Sequence, residues 1–119
     1  MEGKMDDRFS LISDGQWQPL PGFPGIEVLP LSGTLDEAAK TGRRTRLVRL
    51  APGARTERPL VHGYHEEAML ISGDVRGVAG GASAGEYAGF AYVHRPPGTP
   101  HGPIASTAGC ILLEIQYFA

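Results

Sequence analysis

Apolar and polar positions alternate in short runs along this chain, and most runs stop at glycine or proline. Within Gly25–Leu31, Ile26 and Val28 oppose Glu27 and Leu29 at a period of two, which predicts a short strand. Pro30 places the end of that strand at an edge or a bulge, because proline has no N–H for a ladder. Thr34–Glu37 (TLDE) matches a capping box with Gly42 as a C-cap, so this stretch reads as one helical turn or a wide hairpin turn. Residues 45–50 (TRLVRL) are a strand, and APGA at 51–54 is a turn. Residues 66–72 (EEAMLIS) form a strand closed by Gly73-Asp74, with Asp74–Ala79 as its hairpin partner and GGASAG at 80–85 as a tip. Residues 86–94 read as strand interrupted by Gly89, 95–103 (RPPGTPHGP) as a rigid loop, and 109–118 as the strongest strand. Eight or so short strands with almost no helix predict a β-sandwich or barrel.

Composition agrees. The chain has 119 residues, of which 17 are glycine and 10 proline, about twice the average share. A long-helix protein would not tolerate that much punctuation. The length suits one domain, 1–119, with the polar, turn-rich residues 1–20 as an N-terminal arm that Trp17 would anchor to the body or to a neighbouring subunit. Edge strands in so small a barrel need protection, and strand exchange in a homodimer would provide it.

Charge removes whole classes of function. The net charge is −2, from 11 basic and 13 acidic side chains, so no positive field for nucleic acid is built. The local cluster Arg43, Arg44 and Arg46 reads as a solvated face. No apolar run approaches the ~20 residues of a membrane span. Met1–Ser10 lacks the apolar stretch of a secretory signal. The single Cys110 lies in the apolar run GCILLEI and reads as a small buried hydrophobe. Together these features predict a cytoplasmic protein. The glycine-rich 80–85 segment has no following Lys-Ser/Thr and is no phosphate loop.

The candidate chemistry sits in two segments that hold all four histidines: His62 and His65 in RPLVHGYHEEAM, His94 and His101 in YVHRPPGTPHGP. Imidazole nitrogen with carboxylate oxygen suits Fe, Mn, Ni, Cu or Zn. In an extended strand His62 and His65 would point to opposite faces unless Gly63 bulges and rotates one of them. Period two groups Glu66 with Ala68 and Leu70, and Glu67 with Met69 and Ile71, and hydrophobicity does not choose between the two carboxylates. The competing structural reading is two surface His–carboxylate pairs. His94 is a strand-end residue or a substrate contact. Tyr64, Tyr92 and Tyr117 read as packing residues, each with a hydroxyl to offer a ligand. Arg46, Arg49 and Arg58 are solvent-face residues unless one turns inward to hold a carboxylate.

The order of these residues resembles the cupin superfamily, whose first motif runs G-x5-H-x-H-x3–4-E-x6-G and whose second runs G-x5-P-x-G-x2-H-x3-N. Gly53 opens the first segment and His62, Glu66 and Gly73 follow its motif, while Gly89, Pro96, Gly98 and His101 stand in the order of the second. The chain departs from the motifs at Leu60, where the first histidine belongs, and at Ala105, where the terminal Asn belongs. Gly89 is also one residue too far from Pro96. Within that superfamily the chain resembles small bacterial cupins, anti-sigma-factor sensor domains and small cupin dioxygenases.

The resemblance implies an all-β, cupin-like barrel of the jelly-roll type. It implies a divalent metal, Fe(II) first and Mn, Ni or Zn otherwise, on His62, Glu66 and His101, with His65 as a contested fourth ligand. Glu66 is favoured over Glu67 by its spacing to Gly73. The implied activity is metal-dependent chemistry on a small organic molecule, most readily a non-haem-iron-type dioxygenase. An isomerase or cyclase would use the same ion with Glu66 or His65 moving a proton. The alternative is a ligand-binding or sensing module without turnover, with or without a metal.

Overall fold

The computed structural model describes residues 8–78 and 85–119. A short 3-10 turn, Ile12–Asp14, precedes eight strands: β1 (Gln18–Pro19), β2 (Ile26–Asp36), β3 (Thr41–Leu50), β4 (His65–Gly77), β5 (Glu86–Ala88), β6 (Ala91–Arg95), β7 (Ile104–Ala105) and β8 (Cys110–Tyr117). All pairings are antiparallel, in the order β1-β2-β3-β8-β4-β5, with β6 and β7 also paired to β4. The result is an all-β antiparallel barrel of the jelly-roll type, as the strand pattern and the resemblance predicted. No helix among the described residues is long and apolar enough to cross a membrane.

Strand β4 organises the molecule. Its first half lies between β8 and β6, and its second half pairs with β5 and β7. It therefore passes from one sheet to the other, with a register shift between Leu70 and Ser72. The predicted hairpin at Gly73-Asp74 is corrected by this continuity. Gly73 takes a φ of 83°, which bends the strand without reversing it. Asp74 does not start a turn either: its carboxylate accepts hydrogen bonds from Thr107 N (2.9 Å), Ala108 N (2.7 Å) and Ser106 Oγ (3.3 Å). The 80–85 tip falls outside the described residues except for Gly85.

The other departures are matters of length. The Thr34–Glu37 stretch holds no helix: Thr34–Asp36 continue β2, and the hairpin turn lies at 37–40, where Asp36 Oδ1 accepts from Ala39 N at 3.0 Å. Strands β2 and β3 pair from Ile26↔Leu50 to Asp36↔Thr41, with a bulge between Pro30 and Ser32 where proline withholds its donor. Strand β3 starts four residues before the predicted 45, at Thr41, because the ladder with β2 runs on through Leu35↔Gly42 and Asp36↔Thr41. The 86–94 segment breaks at Gly89 into β5 and β6. Trp17 anchors the N-terminal segment to the body: the Arg49 guanidinium lies 4.1 Å over its ring and also pairs with Glu27 at 2.6 Å.

Cross-strand register sorts the inner face into rows. One row reads Leu50–Cys110, and the next Val48–Leu112–Leu70–Ala91. These rows, with Ile26 and Ala54, form the apolar core. Leu70 is only 2 % exposed, and burial of such a side chain stabilises by roughly 1.5–3 kcal/mol. Continuing towards the start of β4, the rows change character: Arg46–Glu114–Ala68–Val93, then Arg44–Gln116–Glu66–Arg95. The same inward phase that builds the core thus delivers a charged row at the other end of the barrel.

Candidate metal centre

Three side chains meet at that charged end. Glu66 is carried inward by the first turn of the β4 pleat and is 3 % exposed. His62 precedes β4 in the loop at 61–64, and His101 ends the proline-glycine loop. The two histidine loops are tied to each other: Leu60 N donates to His101 O at 2.7 Å, His101 N to Leu60 O at 2.9 Å, and Gly98 N to His62 O at 2.9 Å. Leu60, at the missing motif-histidine position, thereby still fixes His101 through its backbone. The His62 ring stacks on Tyr64 at 4.6 Å between centroids and lies 4.9 Å from the His101 ring.

The three donor atoms of His62, Glu66 and His101 lie within 4.8 Å of one another. Among the described residues, His101 Nε2 is the one buried side-chain polar atom with no hydrogen-bond partner. It sits 3.9 Å from Glu66 Oε2, beyond hydrogen-bond reach. Burial first, then the charge of Arg95 and the neighbouring His62 ring, push the His101 imidazole down to about 4, so its lone pair is free at neutral pH. An orphaned, neutral, buried imidazole beside a second imidazole and a carboxylate fits a divalent cation in both donor type and charge.

The carboxylate is held from behind. Gln116 Nε2 donates to Glu66 Oε1 at 2.6 Å, and Arg95 Nη1 donates to Oε2 at 3.2 Å. Gln116 is wholly buried, and its own oxygen accepts from Arg44 Nε. In the next row Arg46 Nε donates to Glu114 Oε1 at 2.9 Å. Burial and the nearby Glu66 raise the Glu114 carboxyl above the usual range. Tyr64, buried against His62, is pushed up to about 12 by burial and by Glu66, so it stays a hydroxyl donor. Arg95, Gln116 and Glu114 escaped the sequence reading, and Arg44 and Arg46, expected on a solvated face, line the cavity instead. Their signal was present as polar residues in the inward phase of otherwise apolar strands.

The structure brings His62, Glu66 and His101 together and leaves His65 out. His65 as metal ligand or proton carrier is a correction: it begins β4 on the outer face, where its ring stacks on Tyr117 at 5.0 Å. Its Nδ1 lies 3.2 Å from His94 Nε2. Gly63 does not rotate His65 inward; it lies in the loop between His62 and Tyr64 and leaves the strand alternation intact. Glu67 shares the outer face, accepting from Tyr92 Oη at 2.6 Å. Arg46 points inward, whereas Arg49 and Arg58 do not line the cavity. The His62–Glu66–His101 cluster opens on a cavity of about 660 Å³ whose other walls include Phe23, Ile26, Val48, Leu50 and Leu112.

The sequence profile of the ChrR cupin-like domain family matches residues 5–116. The chain belongs to that family. Among solved structures, an RmlC-like cupin from Shewanella frigidimarina superposes with a TM-score of 0.69 at 16% identity, covering 96% of this chain and 93% of its own. A putative acetylacetone dioxygenase from Methylibium petroleiphilum gives 0.69 at 16% identity, over 100% of this chain and 81% of its own. The polyketide cyclase RemF from Streptomyces resistomycificus gives 0.69 at 17% identity, over 94% and 80%. At such identities the likeness establishes the fold alone. A comparison with curated proteins found no match.

Proposed function

We propose that this chain is a metal-dependent cupin enzyme that transforms a small organic molecule in the 660 Å³ cavity, in the manner of a non-haem-iron dioxygenase. The observation that carries this reading is the His62–Glu66–His101 cluster with its unpartnered His101 Nε2. A divalent ion held there, Fe(II) in first place and Mn, Ni or Zn otherwise, supplies Lewis acidity for substrate oxygens and, for iron, redox chemistry with O₂. Because Leu60 stands where a fourth protein donor would, His62, Glu66 and His101 would hold the ion at the charged end of the cavity.

The chain's own residues do the rest. Gln116 and Arg95 fix the orientation of the Glu66 carboxylate, the role that outer partners play at metal sites. The Tyr64 hydroxyl offers a hydrogen bond to a substrate oxygen beside His62. Leu70, Leu112 and Val48 wall the cavity and keep water from the reacting group. The folds shared with a putative acetylacetone dioxygenase and a polyketide cyclase support a search among small carbonyl compounds.

The test is oxygen uptake by Fe(II)-loaded protein presented with small dicarbonyl and phenolic compounds. Turnover that disappears in His101→Ala, together with the bound metal, supports the proposal. Ligand binding by metal-loaded protein with no oxygen consumed and no product would overturn it in favour of a sensing module.

A further inference from the structure

The charges around the cavity do not cancel. Among its described lining residues are Arg44, Arg46, Arg76 and Arg95 against Glu66 and Glu114. Arg95 pairs with Glu66 at 3.2 Å and Arg46 with Glu114 at 2.9 Å. Arg76 lies beside Asp74 outside the metal row. Arg44 is different. Its Nε is spent on the neutral amide of Gln116, and no ion pair joins it to an acid among the described residues. Its guanidinium carbon lies 5.9 Å over the Tyr64 ring, which itself stacks on His62. An uncompensated cation in a partly buried wall is costly unless an anion arrives to meet it.

The far end of the cavity is apolar, built by the Val48–Leu112–Leu70 row with Ile26, Leu50 and Phe23. One end thus asks for negative charge and the other for hydrocarbon. We propose that the cavity takes an amphipathic organic anion, a monocarboxylate with an apolar body, and that Arg44 recognises its charge. The two Nη groups of Arg44 form the fork that matches a carboxylate. Gln116 holds that fork through Nε, so the same side chain that orients Glu66 also orients the anion site. The inference rests on the reading of this cavity as a small-molecule site. Arg44 is a binding residue in it, and it is separate from the three metal donors.

The experiment is calorimetric titration of hexanoate and benzoate against their uncharged counterparts hexanamide and benzamide. It is run on chelator-treated and on Zn²⁺-loaded protein. The carboxylates are expected to bind at least about tenfold more tightly than the amides in both forms, as a charge-assisted fork requires. Arg44→Gln should weaken carboxylate binding by about 10- to 100-fold and leave amide binding within about twofold. Retained amide binding shows that the cavity is intact, and Arg44→Lys should restore part of the preference. Equal affinities in the wild type, an equal loss of both classes in Arg44→Gln, or no binding of either class would overturn the proposal. A carboxylate preference that appears only with Zn²⁺ would also overturn it, while leaving the metal reading standing. A preference that persists in protein unable to retain metal would uphold Arg44 and sink the metal reading.

Discussion

Replacing Gly73 with alanine should damage this fold far more than a glycine substitution ordinarily does. Gly73 has a φ of 83° at the point where β4 leaves one sheet for the other. A Cβ there would lie 1.9 Å from the Gly109 carbonyl oxygen and 2.7 Å from the Cys110 Cα. Ordinary carbon–oxygen contacts lie at roughly 3.3 Å or more, so β4 and the start of β8 would have to part by more than an ångström. That movement disrupts the Asp74 N–Gly109 O hydrogen bond of 3.2 Å and the Gly73–Cys110 pairing. The left-handed backbone costs about 1–2 kcal/mol for a residue with a Cβ. The lost hydrogen bond adds about 1 kcal/mol, and the forced displacement about 1–3 kcal/mol. The sum, about 3–6 kcal/mol, is a large part of the roughly 5–15 kcal/mol that stabilises a domain. Gly53→Ala is the internal control: its φ is 82°, but nothing lies within 4 Å of its added Cβ. Urea unfolding of both variants separates the contributions, and Gly73→Ala should lose at least about 2 kcal/mol more than Gly53→Ala. Equal losses would show that the close approach of β4 to Gly109 does not govern this crossing.

Other consequences are more local. Gln116→Leu removes the donor to Glu66 Oε1 and the acceptor for Arg44 while keeping the side-chain volume close, and should weaken divalent-metal binding by about 10- to 100-fold in a competition assay with a chromophoric chelator. Unchanged affinity would mean that Glu66 orients itself. Tyr64 should ionise near pH 12, seen as tyrosinate absorbance that Tyr64→Phe deletes. Its folded-state value is raised above the unfolded one near 10, so its contribution to stability is complete below pH 10 and is lost as the pH rises towards 12. Superimposable titrations of wild type and Tyr64→Phe in that range would contradict the burial of its hydroxyl.

The architecture was legible because period-two alternation and glycine–proline punctuation are local signals, and because Pro96, Gly98 and His101 stand in a recognisable order. The predicted turn at Gly73-Asp74 failed for a non-local reason. Whether a glycine at positive φ reverses a strand or bends it depends on which strands flank it, and here Gly109 and the 106–108 loop claim the site. The choice of Glu66 over Glu67 could not come from hydrophobicity, since Ala68 and Leu70 inside and Met69 and Ile71 outside are equally apolar. Register decides it by placing Gln116 and Arg95 on either side of Glu66. His65 misled because two histidines three residues apart look like a pair until the loop at 61–64 is distinguished from the strand that follows. The arginines of β3 read as a solvated cluster because three charges near a turn carry no sign of which face they occupy. Alternation was the clue: Arg44 and Arg46 share the phase of Val48 and Leu50.

The most direct test of the account is the metal content of untagged wild-type protein and of His101→Ala, both purified without chelator and measured by plasma mass spectrometry. The cluster predicts about one equivalent of Fe, Mn, Ni or Zn per wild-type chain and near-complete loss in His101→Ala, with the variant still folded by circular dichroism. Wild-type protein that holds no metal even after anaerobic reconstitution, or a variant that keeps its full share, would contradict the His62–Glu66–His101 centre.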